Sequence, residues 1–491
     1  MFDLTDPREN KALYRLANKL HINTRARVIE RILLFKTGEP LSVRLIEETE
    51  RLLRANRYLY DVTITPIAYR DGVADIEVKT RDTWSLEPGL SVGRAGGKNT
   101  GRLSIEESNL FGTGIAVGLQ YKSDVDRSGT QFHIADNNVL GTRGVIAYSY
   151  AHQDDGSSQA LSLARPFYAL DTRWAAGTSV STSDTIDALY NAGSSIAEYG
   201  HRRSQAEVFG GWSQGLMRGW TRRYSVGFLR QDDNYELRPD RVAPVRLPSD
   251  LTVAAPFLRF ELIEDAFRKD TNLNQIGRIE DVTMGWQSTA QLGRSLSALG
   301  ASRDLWVYSA NLSNGYDVTK DSILLTSASF GGRYAGDSEN QSLGGSARYY
   351  HRQGGYLLYY ASVSADVVHD PDVPGPLLLG GDNGLRGYPL RYQAGERRAL
   401  LTLEARAYSD WYPLRLIRVG GAVFYDVGRA WGGENQNLSN PGWLNDVGFG
   451  LRFLNARTAF GHVLHADIAF PLNRDPSIKS VQFILRTKVA L

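Results

Sequence analysis

The 491-residue chain contains no cysteine, which excludes disulfides, thiolate metal sites and cysteine nucleophiles together. It also lacks a long apolar run. Although 42 % of its residues are hydrophobic, nothing approaches the roughly 20 consecutive apolar residues that a spanning helix requires. Passage through a membrane by helices is thereby excluded. An excess of charge is missing as well: the formal net charge is +2, with Lys and Arg spread along the length, so no basic tract points to nucleic acid. The opening residues, Met1 to Asp6, do not follow the charged and then apolar plan of a signal peptide, so an exported protein would be met here in processed or trimmed form. Catalytic signatures are absent too. No G-x-S-x-G elbow, H-E-x-x-H or P-loop stands where a strand-to-helix turn could use it. His133, His152 and His201 show no paired-ligand spacing and read as loop or interior residues. No catalytic residue, metal or cofactor is assigned.

What is abundant is the material of short strands and turns: 49 Gly, 25 Tyr and 9 Trp, with frequent Ser, Thr, Asn and Asp. Two regions differ in their period. From Asn23 to Asn56 the apolar residues Val28, Ile29, Ile32 and Leu33, then Leu45, Ile46, Leu52 and Leu53, follow helical spacing. Thr24 and Ser42 are the expected N-caps, Gly38 and Asn56 the expected stops. Leu13 to Ile22 is expected to form a strand before these helices. Asp61 to Ile64 and Ala74 to Val78 alternate around Arg70-Asp71-Gly72, as a hairpin should. The expected order is strand, helix, helix, strand, strand, giving a small α/β domain over residues 1–82.

Beyond Thr83 a period of two takes over, which sets the second domain at residues 83–491. In Ile417 to Gly428 one face carries Ile417, Val419, Val423 and Tyr425, the other Arg418, Phe424 and Asp426. Val447, Phe449, Leu451 and Phe453 likewise oppose Asp446, Gly448, Gly450 and Arg452, and Val481, Phe483, Leu485, Val489 and Leu491 oppose Gln482, Arg486 and Lys488. Such alternation fits a soluble sandwich or a membrane barrel. Loop lengths decide between them. Odd-to-even connections read as long (Ser183 to Tyr199, Asp232 to Asp250, Asp370 to Ala394, Trp431 to Pro441), and even-to-odd ones as short (Leu110 to Gly114, Gly215 to Gly219, Arg352 to Gly355, Asn455 to Thr458). That asymmetry is the outer-membrane pattern. The count is twenty strands. Ala266 to Glu280 is long for an even-to-odd turn, and its charged and amide residues point to an excursion on the turn side or to strand ends placed wrongly. Tyr356, Tyr359, Tyr408, Trp411 and Tyr412 fall near strand ends, where an aromatic girdle would lie. The fold class is mainly β: an antiparallel transmembrane β-barrel behind one small α/β domain.

One segment stands out: Gly380-Gly381-Asp382-Asn383-Gly384-Leu385-Arg386-Gly387-Tyr388, in the long loop 370–394 after the fifteenth strand. Leu403-Glu404 follows on the next strand, and Phe424-Tyr425-Asp426-Val427-Gly428 on the one beyond. Alternation puts Glu404 and Asp426 on the polar face. In these residues the chain resembles the BamA/TamA family of outer-membrane assembly factors, in which a loop with a V/I-R-G-F/Y motif folds into the lumen. Leu385-Arg386-Gly387-Tyr388 matches that motif, with Glu404 as the acidic residue and Phe424, Asp426 and Gly428 in the F-x-D-x-G strand. The resemblance implies that Arg386 reaches the two carboxylates as a planar charged fork, that Gly387 permits a sharp turn and that Tyr388 packs on the inner wall. The N-terminal domain likewise looks like one POTRA domain. The family norm is sixteen strands, and its barrels end in Phe or Trp where this chain ends Thr487-Lys488-Val489-Ala490-Leu491.

The resemblance also implies a function: insertion of β-barrel clients, or translocation of a polypeptide, at the outer membrane of a Gram-negative cell, with the POTRA domain in the periplasm. Expected partners are outer-membrane lipid, client β-barrel or secreted polypeptides, and periplasmic chaperones or accessory subunits. The alternative is a two-partner-type secretion pore or a passive diffusion channel. Gly89, Gly93, Gly96 and Gly97 are expected to loosen the seam where the first strand, Leu86 to Arg94, meets the last, Val481 to Leu491.

Overall fold

The computed structural model describes residues 4–433, 441–457, 463–473, 476 and 478–488. Its N-terminal part holds three helices, α1 (Ala12–Leu20), α2 (Ala26–Glu30) and α3 (Val43–Arg54), then a hairpin of β1 (Leu59–Arg70) and β2 (Val73–Asp82). The strand expected over Leu13 to Ile22 is therefore a helix. Leu13, Leu16 and Ala17 recur at helical spacing in a segment rich in good helix formers. The sheet among the described residues stays two-stranded. Thr24 is not a cap either. Arg25 holds that position, and the Thr24 amide and hydroxyl turn to the Asp82 carboxylate at 2.8 and 2.9 Å. Ser42 does cap α3, accepting from the Leu45 amide at 3.4 Å. Asn56 closes it by donating to the Leu52 and Leu53 carbonyls at 2.8 and 3.3 Å.

The apolar faces of α2 and α3 and one face of the hairpin meet in a core of Ile29, Ile32, Ile46, Leu53, Tyr58, Leu59, Val62 and Ile64.

Among the described residues twenty strands then run up and down from Leu86–Ala95 to Gln482–Lys488, each antiparallel to the next, and the last returns to the first. Residues pointing outward are apolar and exposed: Leu90, Leu103, Leu119, Val226, Leu258, Leu403, Val423 and Phe449 represent strands all round the cylinder. Each Å² of such surface costs about 25 cal/mol in water, and a continuous belt of it demands another solvent. Lipid is that solvent, and the closed sheet satisfies its backbone without water. The chain is a β-barrel membrane protein.

Two loop expectations are corrected. Ser183 to Tyr199 is no loop: the seventh strand (Trp174–Asn191) and the eighth (Ser194–Met217) meet in the tight turn Ala192-Gly193. Likewise the ninth (Trp220–Leu237) runs past Asp232 before its loop begins. These segments resemble loop because both faces are polar where strands rise above lipid into water. Neighbouring strands still pair them in register, Asp184 with Arg202 and Asp233 with Arg203 among others. Tyr408 leaves the girdle as well. It packs inward against Leu273 and Ile276, whereas Tyr356, Tyr359 and Trp411 are exposed. Thr458, Val489, Leu491 and residues 434–440 of the Trp431 to Pro441 loop lie outside the described residues.

The N-terminal part sits across the turn end of the barrel. Arg44 pairs with Asp171, Arg51 with Asp265 and Arg54 with Asp281, so one face of α3 grips two even-to-odd connections, the second of them at two points. Glu48 accepts from the Leu170 amide at 2.7 Å. Burial there pushes its carboxyl above the ordinary range, against the opposing pull of that amide and of Arg44.

Leu53 is fully buried. Leu53→Ala is expected to cost this domain about 2–5 kcal/mol. The check is the urea concentration at which residues 4–82 become protease-sensitive in the full chain, which should fall while the barrel remains resistant.

Candidate functional site in the lumen

A barrel of twenty strands is wide enough to enclose an aqueous channel, since diameter grows with strand number and 16–18 strands already do so in porins. Here the channel is occupied. The loop between the fifteenth strand (Leu357–His369) and the sixteenth (Arg397–Tyr408) turns inward, its limbs zipped by a short ladder of Leu377–Leu379 against Gln393–Gly395. Asn383 fixes the bend beyond the ladder, accepting from the Gly380 amide and donating to the Leu378 carbonyl, both at 2.6 Å. Leu385, Tyr388 and Tyr392 are then buried against Leu379, Ala430, Leu444 and Ile478.

At the tip, Arg386 meets the wall. Its Nε and Nη2 donate to the two Asp426 oxygens at 2.6 and 2.9 Å, and its Nη1 donates to Glu404 Oε1 at 2.8 Å. The guanidinium lies over the Phe424 ring, 3.4 Å from its centroid. Glu404 and Phe424 face each other across the strand pair, and Asp426 is one pleat further along, so alternation on two adjacent strands delivers all three to one spot. Arg386, Glu404 and Asp426 are 6, 5 and 0 % exposed. Removing one partner of such a buried set leaves an uncompensated charge and costs about 3–5 kcal/mol.

Tyr388 places its hydroxyl 2.9 and 2.8 Å from the Asn445 and Asn473 carbonyls. Gly387 stands third in the turn Leu385 to Tyr388, closed by the Tyr388 amide on the Leu385 carbonyl at 3.1 Å; its φ is not left-handed, and a Cβ there would stand 2.6 Å from the Asp446 Cβ. Gly428 is flush with the loop in the same way, a Cβ there falling 3.1 Å from Leu379 Cδ2.

Sequence reasoning missed four charged neighbours. Arg406 donates from Nε to Glu404 Oε2 at 2.7 Å, Asp467 stands 3.7 Å from Arg386 Nη1, and Arg452 pairs with Asp467. Asp446 lies directly across from Asp426 in the register. Alternation put Asp446, Arg406 and Arg452 on the polar face, but nothing in the sequence separates them from other polar-face residues. His201 is an interior residue held between Asp187 and Asp233 at 2.9 and 3.0 Å, and among the described residues no metal-binding cluster forms.

No protein-family model matches the chain, and no curated protein sequence matches it. Solved structures do. BamA from Haemophilus ducreyi lacking POTRA domains 1–3 is 15 % identical over 94 % of this chain and 81 % of that one, with a TM-score of 0.40. CdiB from Acinetobacter baumannii is 14 % identical over 95 % and 71 %, TM-score 0.43. CdiB from Escherichia coli is 16 % identical over 95 % and 74 %, TM-score 0.47. What the closed sheet itself defines is the class: a membrane β-barrel whose lumen is filled by an arginine-clamped loop.

Arg386→Ala should free the loop, exposing the Arg391 bond to trypsin added from the loop side, while the parent chain resists. Arg386→Lys, which keeps the charge but not the fork, should fall between them. Equal resistance in all three would show that the clamp does not hold the loop.

Proposed function

We propose that the chain is an outer-membrane assembly or translocation factor of the BamA kind, handling client polypeptides at the seam of its barrel, with the N-terminal domain in the periplasm as a single POTRA domain. The observation that carries this reading is the seam. Along most of the cylinder neighbouring strands pair over their length, as the first does with the second from Leu86 to Ala95. The last strand and the first pair, among the described residues, at one position only, Leu485 with Arg94. Beside that position lies a cavity of about 410 Å³ bordered by Gly89, Ser91, Gly93, Leu485 and Thr487. Backbone groups left free at such a place can pair with an incoming strand.

The loop is built to watch this seam. Arg486 on the last strand donates to the Asp382 carbonyl at 2.9 Å. On the other side Gly96, after the first strand, is so close to the loop that a Cβ would stand 2.2 Å from the Leu390 amide. The clamp therefore holds a segment that touches both flanks of the opening. A lumen filled in this way does not favour a passive diffusion channel. Lipid and client polypeptides are the partners this reading requires; chaperones or accessory subunits would bind the exposed parts of the N-terminal domain.

Ser91 Oγ and Thr487 Oγ1 are 3.4 Å apart, which suits a disulfide in a chain that has no cysteine of its own. The oxidised Ser91→Cys, Thr487→Cys protein should lose client insertion into liposomes and regain it on reduction. Undiminished insertion with the seam locked would count against the proposal. Secretion of one partner that continues while insertion stops would assign the barrel to the two-partner type, which passes its cargo through the lumen.

A further inference from the structure

The excursion between the tenth barrel strand (Leu251–Glu264) and the eleventh (Gln287–Ser295) is a second filling of the lumen, entering from the opposite end to the loop. It forms its own hairpin, Phe267–Thr271 against Ile279–Thr283, separate from the wall. Its tip is locked by Glu280, whose carboxylate accepts from the amides of Leu273, Asn274 and Gln275 at 2.8, 3.1 and 3.3 Å. Leu273 and Val282 pack on the inward side chains of Ile323, Tyr350 and Leu358, and Ile276 on Leu454 and Val463. Those strands span the thirteenth to the nineteenth of the cylinder, so the hairpin crosses the mouth beneath a third of the wall.

Besides side-wall bonds from Tyr350 and Arg352, two sets of bonds hold it end to end. From below, Arg54 of α3 grips Asp281 through Nε and Nη2, both at 2.7 Å, and Arg278 donates to the Leu59 carbonyl at 3.1 Å. From above, Arg406 donates from Nη1 to the Leu273 carbonyl at 2.8 Å. Arg406 is itself oriented by Glu404 Oε2, while Glu404 Oε1 receives Arg386. One carboxylate thus divides its two oxygens between the arginine of the loop and the arginine that holds the hairpin. A continuous chain runs from α3 through Asp281, the hairpin, Arg406 and Glu404 to Arg386.

We propose that residues 267–283 are a stopper in the turn-side mouth, coupled through Glu404 and Arg406 to the arginine loop, so that drawing out either element loosens the other. The hairpin and the loop close the lumen in series. The N-terminal domain, gripping the hairpin through Arg54, can then signal an arriving cargo to the loop without touching it. This holds for any cargo and does not depend on the client class assigned above.

Two measurements test it, neither needing a client. In planar bilayers, deletion of residues 372–392 alone and of 267–283 alone should each leave a small steady current, and the double deletion a large one. Loop deletion that alone matches the double would show the hairpin is no barrier. For the coupling, the buried Ile276→Cys thiol, the sole one in the chain, is labelled with an impermeant maleimide. Arg386→Ala and Arg406→Ala, each with I276C, should each speed labelling by roughly tenfold, the size expected for one charged hydrogen bond. Combined, they should add less than the product of the two. Arg398→Ala, which removes a bond from Arg398 to the Leu378 carbonyl of the loop at 3.2 Å without touching Glu404, should leave the rate unchanged. Glu404→Gln keeps the side chain's shape and should behave as Arg386→Ala, with heat-dependent mobility on gels confirming a closed barrel. An unchanged rate in R386A, or an equal rise in R398A, would overturn the relay.

Discussion

A sheet immersed in lipid cannot end, because an unpaired edge there has no water to turn to. Closure of twenty strands answers that demand nearly everywhere, and the rest of the architecture follows from the one place where it is answered least, between the last strand and the first. A cylinder that wide would leak, so its interior has to be filled; a filling that touches both sides of a weak join also keeps that join in register. The loop ending in Arg386 meets both needs with a single segment.

The filling is electrostatic because of where it sits. Inward positions of a membrane barrel are free to be polar, so a loop entering the lumen finds carboxylates such as Glu404 and Asp426 on the wall beside the apolar patch of Ala430 and Leu444. Each would be expensive to bury alone, and Arg386 makes their burial tolerable by presenting a planar fork and lying over Phe424. Glu404 has a further task in facing two arginines at once. Its position, one pleat from the level of Asp426 toward the turn end, is what allows one wall residue to be shared by segments entering from opposite mouths.

Much of this could be read in the sequence, and the physics explains what could not. Alternation with period two put Glu404, Asp426, Asp446 and Arg452 on the inner face, because in a barrel the side-chain period is set by the backbone alone. The same rule gave the twenty strands that the structure shows. It failed at Ser183 to Tyr199, where strands leave lipid and both faces become polar, so the pattern that marks a strand disappears while its pairing continues. It failed again at Leu13 to Ile22, where a short apolar run satisfies helix and strand templates alike and only the missing third strand of the sheet decides. The links from Arg406 to Leu273 and from Arg54 to Asp281 join residues 133 and 227 positions apart, and no local pattern carries such information.

The wall is also uneven in height. The seventh, eighth and ninth strands run 18, 24 and 18 residues, whereas the first runs 10 and the last, among the described residues, 7, and the tall group stands well round the circumference from the short pair. Bending stiffness in a hydrogen-bonded ribbon rises with the number of rungs it must shear. A radial strain applied to this cylinder therefore concentrates at its lowest rim and is resisted at the far side, so that the tall ribbon acts as the spine of a ring spring and the short strands as its gap.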